Sequence, residues 1–194
     1  MISTNINAQE LTENKKNTLK IVYSYGQLIE FNNKEMGEEL ASICFQESKG
    51  NSKIFQTNGK IVGDSNKSFG PMQVQLRSAR DVARWNPAIF EKKFNSTSPT
   101  NNQLKKALLE DLHFNIAVGA AYFKKMLDLK KDLHEAIIAY NKGPNSKKKT
   151  KVYLVKVLNN KEMLASLFEP EPQKVEKTLD NEKGFWYTVK EWFS

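Results

Sequence analysis

Apolar residues recur at helical spacing along most of this chain, and that pattern constrains the fold more than any other feature. Successive apolar positions are three or four residues apart, which puts them on one face of a helix. Glycine, proline and asparagine stand at the breaks between these stripes, as expected for turns. The stripes lie within residues 19–31, 36–44, 76–83, 104–112, 116–127, 133–140 and 152–158. We therefore predict a mainly α-helical fold with one domain over residues 19–160.

Polar segments separate the predicted helices. Residues 51–69 are rich in Gly, Asn, Ser and Lys, which predicts a loop or a short hairpin, because Asn58-Gly59 is a favoured hairpin turn. Asn86-Pro87 ends one helix, and residues 95–102 have the composition of a second loop.

Both ends of the chain are predicted to extend beyond the domain. Residues 1–18 are polar, and Pro170 and Pro172 mark a linker within a C-terminal extension over residues 161–194. The last part of that extension carries an apolar stripe formed by Phe185, Val189, Trp192 and Phe193. We expect this amphipathic tail to pack on the domain, with contact to a membrane or to a partner protein as the alternative.

The composition argues against several kinds of site. Cys44 is the only cysteine, and the two histidines lie in separate segments, so a zinc site built from Cys and His is not expected. No cofactor is predicted. No apolar run of about 18 residues is present, so no transmembrane segment is predicted. The first residues also lack the pattern of a secretory signal.

The charge of the chain predicts a polyanionic partner. Thirty Lys+Arg against 22 Asp+Glu give a net charge of +8, which favours binding to nucleic acid, anionic membrane or wall polymers. The basic run from Lys147 to Lys151 is compatible with a nucleic-acid-binding module. No recognised nucleic-acid motif accompanies it, so this reading is an alternative of another class.

Glu47 is the residue whose position most strongly predicts chemistry. It follows Leu40, Ile43 and Cys44 at helical spacing, so it lies on the apolar face of its own helix, near the C-terminal end. Burial there disfavours the charged carboxylate and raises its pKa, and the helix C-terminus acts in the same direction. A carboxylic acid that stays protonated near neutral pH can donate a proton to a glycosidic oxygen. The simpler interpretation is an ordinary glutamate at a helix end.

Two further side chains suit a binding site, although each has a structural alternative. Gln73, in Gly70-Pro71-Met72-Gln73, offers a donor and an acceptor that match an amide or a sugar hydroxyl. Gly70 permits close approach of a backbone or ligand. Tyr140 lies on the apolar stripe of its helix, where its hydroxyl needs a buried partner.

Together and in this order, the segments resemble the catalytic domain of lytic transglycosylases, which is related to soluble lytic transglycosylases and goose-type lysozymes. Glu47-Ser48 is similar to the Glu-Ser pair that ends a helix in that family. Gly70 to Gln73 resembles its Gly-Leu-Met-Gln element, with proline in place of leucine, and Ala139 to Gly143 resembles its Ala-Tyr-Asn-x-Gly element. A weaker match runs from Asn115 to Tyr122. The resemblance covers residues 38–158.

The resemblance implies a lysozyme-like helical fold with a sugar-binding groove. It implies that Glu47 is the only essential acid/base, and that Gln73, Tyr140, Ser68 and Asn141 line the groove around it. The Tyr140 hydroxyl is expected to hydrogen-bond Glu47 and orient it.

Two apolar residues near the second motif are expected to contribute to the same groove. Phe69 stands where the family usually has a small residue, so we expect it to reshape one subsite. Phe69 and Met72 are both expected to give the site apolar cover that helps to exclude water.

The implied activity is that of a peptidoglycan lytic transglycosylase, a lyase that cuts between N-acetylmuramic acid and N-acetylglucosamine and leaves a 1,6-anhydromuramoyl end. The alternative is a lysozyme-type hydrolase that uses Asp64 to position water, although a residue in Gly63-Asp64-Ser65-Asn66 is more often a turn former. The substrate is then murein, the peptidoglycan of the cell wall in the periplasm. The protein is expected to be a phage endolysin, an enzyme exported by another route, or a periplasmic enzyme whose signal has been trimmed. We expect a monomer.

Overall fold

The computed structural model of the chain describes residues 11–52, 56–57, 60–61, 68–146 and 151–169. Within these residues it contains eight α-helices and two hairpins of very short strands, which confirms the mainly α-helical fold. The helices are α1 (Glu13–Gln27), α2 (Gly37–Ser48), α3 (Leu76–Trp85), α4 (Ala88–Phe94), α5 (Asn101–Glu110), α6 (Leu112–Lys130), α7 (Leu133–Lys142) and α8 (Val152–Phe168). The strands are β1 (Glu30–Phe31), β2 (Lys34–Glu35), β3 (Gln56–Thr57) and β4 (Lys60–Ile61).

The first helix differs from its prediction at both ends. It begins at Glu13, inside the segment that was expected to be a polar extension, and it ends at Gln27 rather than at Phe31. Phe31 instead belongs to β1, which pairs with β2 in an antiparallel hairpin. Asn32 and Asn33 form its two-residue turn with φ of 52° and 60°. Asparagine tolerates this left-handed conformation, and two such residues in succession suit a tight hairpin.

The second hairpin lies in the polar segment where a loop or hairpin was predicted. Strand β3 pairs antiparallel with β4, and the register places Thr57 opposite Lys60. The pairing confirms a short hairpin within this segment, whereas Asn58-Gly59 itself lies outside the described residues. Asp64 lies outside the described residues.

Helix α4 was not predicted, because seven residues are too few for apolar periodicity to show. Ile89 and Phe90 are its buried residues. The helix follows Asn86-Pro87, which ends α3 as predicted.

Helices α5 and α6 each begin with a side-chain cap. Thr100 accepts a hydrogen bond from the backbone of Gln103 at 3.2 Å, and the Gln103 side chain accepts one from the Thr100 backbone at 2.8 Å. This capping box starts α5 at Asn101, inside the segment that was predicted to be a loop. Asp111 separates α5 from α6 and caps α6 through a 2.9 Å bond from the Phe114 backbone.

Helix α6 is the centre of the core. Every residue from Phe114 to Phe123 is buried, and helices α1, α3, α4, α5 and α7 all contact it. A helix that is apolar on all sides needs such a surrounding layer. None of the helices in the described residues is long and apolar enough to cross a membrane.

The buried face of α8 is not the one that was predicted. Leu154, Val157 and Leu164 are buried, whereas Val152 and Val155 are 59% and 51% exposed. Both valines lie on the outer surface, whereas Leu158, the third residue of the predicted stripe, is partly buried against the core.

Helix α8 also continues across the predicted domain boundary at residue 160. It ends at Phe168, whose ring stacks on Tyr23 of α1 with 4.5 Å between the ring centroids. Residues 161–168 therefore pack on the helical domain. The remaining C-terminal tail, with its predicted amphipathic stripe, lies outside the described residues.

Candidate active site

Glu47 lies in the last turn of α2, and its carboxylate is partly buried. The helix ends directly after it, because Lys49 adopts a left-handed conformation with φ of 58° and its backbone N–H bonds to the Phe45 carbonyl at 2.9 Å. The apolar face of α2, formed by Leu40, Ile43 and Cys44, is buried in the core. The carboxylate is therefore carried to the edge of the core by the helix itself.

Tyr153 of α8 donates a hydrogen bond to Oε1 of Glu47 at 2.6 Å. The Asn141 side chain is a second hydrogen-bond partner of this carboxylate. Tyr140 was expected to orient Glu47, but its hydroxyl bonds to the Met72 carbonyl at 2.9 Å. The prediction that Tyr140 orients Glu47 is therefore wrong, because the Tyr140 hydroxyl bonds to a backbone carbonyl in the neighbouring turn. Tyr153 is the tyrosine that bonds to Glu47.

The pKa of Glu47 is raised above its ordinary value. Burial is the main cause, and the hydrogen bonds from Tyr153 and Asn141 oppose it only in part, because they stabilise the charged form. The pKa of Tyr153 is also raised, first by burial and then by the negative charge of Glu47. Tyr153 therefore stays protonated as a donor, while Glu47 keeps its proton to a higher pH than an exposed glutamate.

A tight turn from Phe69 to Val74 forms the wall beside Glu47. Phe69 and Val74 exchange two backbone hydrogen bonds of 2.9 Å. Gly70 has φ of 64°, and a Cβ there would come within 2.3 Å of the Asn115 amide nitrogen. Glycine is thus needed both for the conformation and for the space. The turn places Gln73, with φ of 48°, at the groove surface.

Asn115 of α6 holds this turn in place from inside the core. Its side chain accepts a hydrogen bond from the Met72 backbone at 3.0 Å and donates bonds of 2.9 Å to the carbonyls of Phe69 and Leu108. Asn115 is fully buried, so these bonds satisfy groups that water does not reach. Asn115, the first residue of the weaker sequence match, therefore has a structural role.

Phe69 and Met72 do not lie where they were expected. Their side chains are 1% and 0% exposed, and neither lines the groove. Met72 packs against α6 at Gly119, where an added Cβ would meet the Met72 side chain at 2.7 Å. Both residues support the turn from beneath, because the turn directs its apolar side chains into the core.

A groove of about 690 Å³ runs over these elements. It brings together five residues that the sequence singled out, namely Glu47, Ser68, Gln73, Tyr140 and Asn141. Helix α3 supplies one wall, and the end of α7 with residues 143–146 supplies the other. A polar groove that contains a carboxyl group with a raised pKa can take a chain of sugar rings and protonate an oxygen between them.

Residues 30–160 match the family model described as the transglycosylase SLT domain. The chain belongs to this family. The match covers well over half of the chain and contains Glu47, the turn with Gln73, and Tyr140. No curated protein and no solved structure gave a significant match. The SLT domain is a catalytic domain of peptidoglycan lytic transglycosylases, so the substrate class is the glycan of the cell wall.

An aromatic row in the groove of this SLT domain was not predicted. The Trp85 ring stacks on Tyr122 with 6.2 Å between centroids, and Tyr122 meets Tyr140 edge to face at 5.6 Å. Trp85 is 40% exposed at the groove surface. Aromatic faces are suited to the apolar faces of sugar rings. These residues sit on three helices, so sequence periodicity does not place them together.

Charged residues on one face of α3 also line the SLT groove. Arg77, Asp81 and Arg84 recur at helical spacing, and Asp81 forms an ion pair with Arg84. From the sequence this face has the pattern of an ordinary solvated surface opposite the buried stripe. Lys142 adds a further positive charge across the groove.

Tyr153 is the functional candidate that the sequence missed. It follows the basic run and lies beside Val152, whose stripe was taken as the buried one. The available signal was its spacing to Val157, four residues later on the face that is buried. Among the described residues, no three side chains of His, Cys, Asp or Glu come together, so no metal site is assigned there.

Proposed function

We propose that this SLT domain cleaves peptidoglycan between N-acetylmuramic acid and N-acetylglucosamine, with Glu47 as general acid and then general base. The observation that carries the proposal is the Glu47 carboxyl group, partly buried in a groove and hydrogen-bonded by Tyr153 at 2.6 Å. Its raised pKa favours the protonated form that the first step requires.

In the first step Glu47 gives its proton to the glycosidic oxygen while the bond from that oxygen to muramoyl C1 breaks. Positive charge develops at C1, and the 2-acetamido group of the same sugar stabilises it. Tyr153 and Asn141 stabilise the carboxylate that forms, since both hydrogen-bond Glu47. The same two hydrogen bonds lower the pKa of Glu47 in part, and this is compatible with acid catalysis because they stabilise the carboxylate product of the proton transfer.

In the second step the Glu47 carboxylate takes the proton of the C6 hydroxyl, and O6 forms a bond to C1. The product is a 1,6-anhydromuramoyl end, Glu47 is protonated again, and no water is consumed. One carboxyl group thus serves both steps, whereas most glycoside hydrolases require two.

The groove walls favour this internal route. Trp85, Tyr122 and Tyr140 provide aromatic surface on which sugar rings can pack and displace water. Gln73, Ser68 and Asn141 provide donors and acceptors for hydroxyl and acetamido groups. Both kinds of contact hold the ring so that its C6 hydroxyl lies near C1.

Mass spectrometry of muropeptides released from purified sacculi tests the proposal. We expect anhydromuramoyl ends, each lighter by one water molecule than the corresponding reducing end. Predominantly reducing ends would falsify the lyase assignment while leaving glycan cleavage intact. Absence of any released glycan fragment would contradict the wall-cleaving function itself.

A hydrolase remains the second candidate because the groove contains another carboxylate. Asp81 lies on α3 in the same groove as Glu47, and a second carboxylate can activate water. The lyase is favoured because Asp81 is engaged with Arg84. The earlier candidate, Asp64, lies outside the described residues. If Asp81→Asn retains anhydro products at an unchanged ratio, Asp81 has no role in water activation.

The net charge of +8 supports action at the cell wall, since wall polymers are anionic. Arg77 and Lys142 bring part of this charge to the groove. The nucleic-acid alternative rested on the same net charge and on a basic run that lies almost entirely outside the described residues. Delivery to the wall by a phage or by an export route is part of the proposal, as is a monomeric state.

A further inference from the structure

Helices α2 and α8 run antiparallel and are joined by polar contacts at both ends. At one end, Lys161 Nζ lies 2.5 Å from Glu39 Oε1 and 3.0 Å from Glu38 Oε2. At the other end, the Tyr153 hydroxyl lies 2.6 Å from Glu47 Oε1. The same two helices therefore carry an ion pair and the catalytic hydrogen bond.

A weaker polar contact lies between these ends. The Asn160 side chain donates to Gln46 Oε1 at 3.3 Å and to the Ser42 carbonyl at 3.5 Å. Both acceptors belong to α2, so polar contacts continue along the shared surface.

The two end contacts belong to one helix register. Glu39 and Glu47 are separated by eight residues on α2, and Tyr153 and Lys161 are separated by eight residues on α8. At 1.5 Å per residue, each separation is about 12 Å along the axis. A slide of α8 by one residue moves the Tyr153 hydroxyl by about 1.5 Å, which is enough to lose its bond to Glu47. The same slide breaks the ion pair.

Polar contacts add direction to the apolar packing between α2 and α8. The side chains that α8 buries, Leu154, Val157 and Leu164, make contacts that are not directional. The helix begins without a side-chain cap at Lys151. Glu39, in contrast, is only 7% exposed, and a buried carboxylate that loses its cation is strongly destabilised. Breaking the ion pair therefore carries the largest penalty when α8 slides.

We propose that Lys161, through its ion pair with Glu39, is a positioning residue that sets the register of α8 on α2 and so holds the Tyr153 hydroxyl on Glu47. The inference rests on the proposed function in one respect only, namely that Glu47 is the acid. Asn160 supports the same register through its contacts in the middle of the interface.

The first test replaces the ion pair without leaving a buried charge. In a Glu39→Met, Lys161→Met double variant the fold is expected to survive, since apolar residues of similar volume often replace a buried pair at little cost. We expect the pKa of the Glu47 carboxyl group, followed by carbon-13 NMR, to rise as it does in Tyr153→Phe. We also expect kcat on peptidoglycan to fall roughly 10-fold to 100-fold, because the acid is misplaced.

A double-mutant cycle separates positioning from a purely structural role. Within the part of the chain that the structure describes, the titratable groups that face Glu47 are Cys44 on α2, Tyr140 on α7 and Tyr153 on α8. If Lys161 acts through Tyr153, adding Tyr153→Phe to the Met double variant causes no further shift of the Glu47 pKa. Contacts about 12 Å apart are otherwise expected to act additively. Additive shifts, or an unchanged Glu47 pKa in the Met variant, overturn the proposal.

A swapped pair and a control complete the experiment. Glu39→Lys with Lys161→Glu, combined with Glu38→Gln so that Glu38 does not repel the new carboxylate, restores an ion pair in the same register, so the Glu47 pKa should match that of the original chain. If the Glu47 pKa in the swapped variant equals that in the Met double variant, the proposal is contradicted. The control is Lys124→Met, which breaks an ion pair inside α6 and should leave the Glu47 pKa unchanged; a shift there also contradicts the proposal. Because NMR titration needs no turnover, it decides the role of Lys161 even if peptidoglycan is not cleaved.

Discussion

Tyr153 and Glu47 form a 2.6 Å hydrogen bond although 106 residues separate them in the sequence. Removing the Tyr153 hydroxyl removes a contact that lowers the pKa of Glu47, so burial then acts with less opposition. In Tyr153→Phe the Glu47 pKa should rise, and the basic limb of the pH profile of kcat/KM should move to higher pH. The value of kcat at its optimum should fall, because the carboxylate formed in the first step is less stabilised.

Tyr140→Phe is the matched control for this pH profile. The Tyr140 hydroxyl bonds to the Met72 carbonyl and not to Glu47. This variant is expected to leave the basic limb in place, whatever its effect on rate. Equal shifts in the two variants would show that the hydrogen bond from Tyr153 does not set the pKa of the acid.

Glu47→Gln is expected to abolish cleavage while the fold remains intact. Glutamine retains the shape of the side chain but has no proton to give, and general acid catalysis contributes roughly 10²–10⁴-fold. Turbidity loss of purified sacculi measures the effect, with circular dichroism as the check on folding. Glu162→Gln, on the exposed side of α8, is the control for loss of a carboxylate. Near-normal activity in folded Glu47→Gln would assign the acid to another residue.

The same substitution should make the protein more stable at neutral pH. Because the folded-state pKa of Glu47 is raised, ionisation is less favourable in the folded chain than in the unfolded one. This carboxyl group therefore lowers stability once the pH exceeds its unfolded pKa, and the loss grows until the pH passes the folded pKa. Glu47→Gln should raise Tm at pH 7 and leave it nearly unchanged at pH 4. Equal effects at both pH values would contradict the raised pKa.

Asn115→Asp tests how the turn beside Glu47 is held. A carboxylate can still accept from the Met72 backbone, but it donates nothing to the carbonyls of Phe69 and Leu108. Two unsatisfied buried carbonyls and a buried charge should lower the free energy of unfolding by about 3 kcal/mol at neutral pH. Stability should recover in part at low pH, where the protonated acid donates one bond. Urea unfolding at pH 4 and pH 7 measures both effects.

Salt should separate wall binding from chemistry. Arg77 and Lys142 are exposed in the groove of a chain with a net charge of +8. Activity on whole sacculi is expected to decline between 0.05 and 0.5 M salt, roughly in step with the shortening Debye length, whereas cleavage of short uncharged fragments changes little. Equal salt sensitivity of the two substrates would indicate that charge acts within the catalytic step.

The fold could be predicted where a helix is long and its apolar residues form a continuous pattern. Helix α6 is buried along nearly its whole length, so its apolar pattern stands out in the sequence. Helix α4 and the hairpin around Asn32 and Asn33 could not be predicted in this way, since both are shorter than the window in which periodicity shows. The outer valines of α8 misled the prediction, because two exposed apolar residues at helical spacing resemble a buried face.

The candidate site could be predicted in its separate parts but not in its connections. Glu47, Gln73 and Tyr140 were selected because their segments resemble a family, and the structure brings them to one groove. Their contact with substrate stays a prediction. The link from Glu47 to Tyr153 depends on how α2 lies against α8, and periodicity in each helix does not contain that relationship.

Trp85 gives the groove an optical reporter. The chain has three tryptophans, and Trp85 is the one that falls within the described residues, 40% exposed, with the Lys125 ammonium 5.6 Å from its ring centre. A sugar ring that packs on this indole must displace water from it and change its fluorescence. With Trp186 and Trp192 replaced by phenylalanine, the emission of Trp85 would report binding in the catalytically silent Glu47→Gln variant. Affinity and turnover then become separately measurable in one chain.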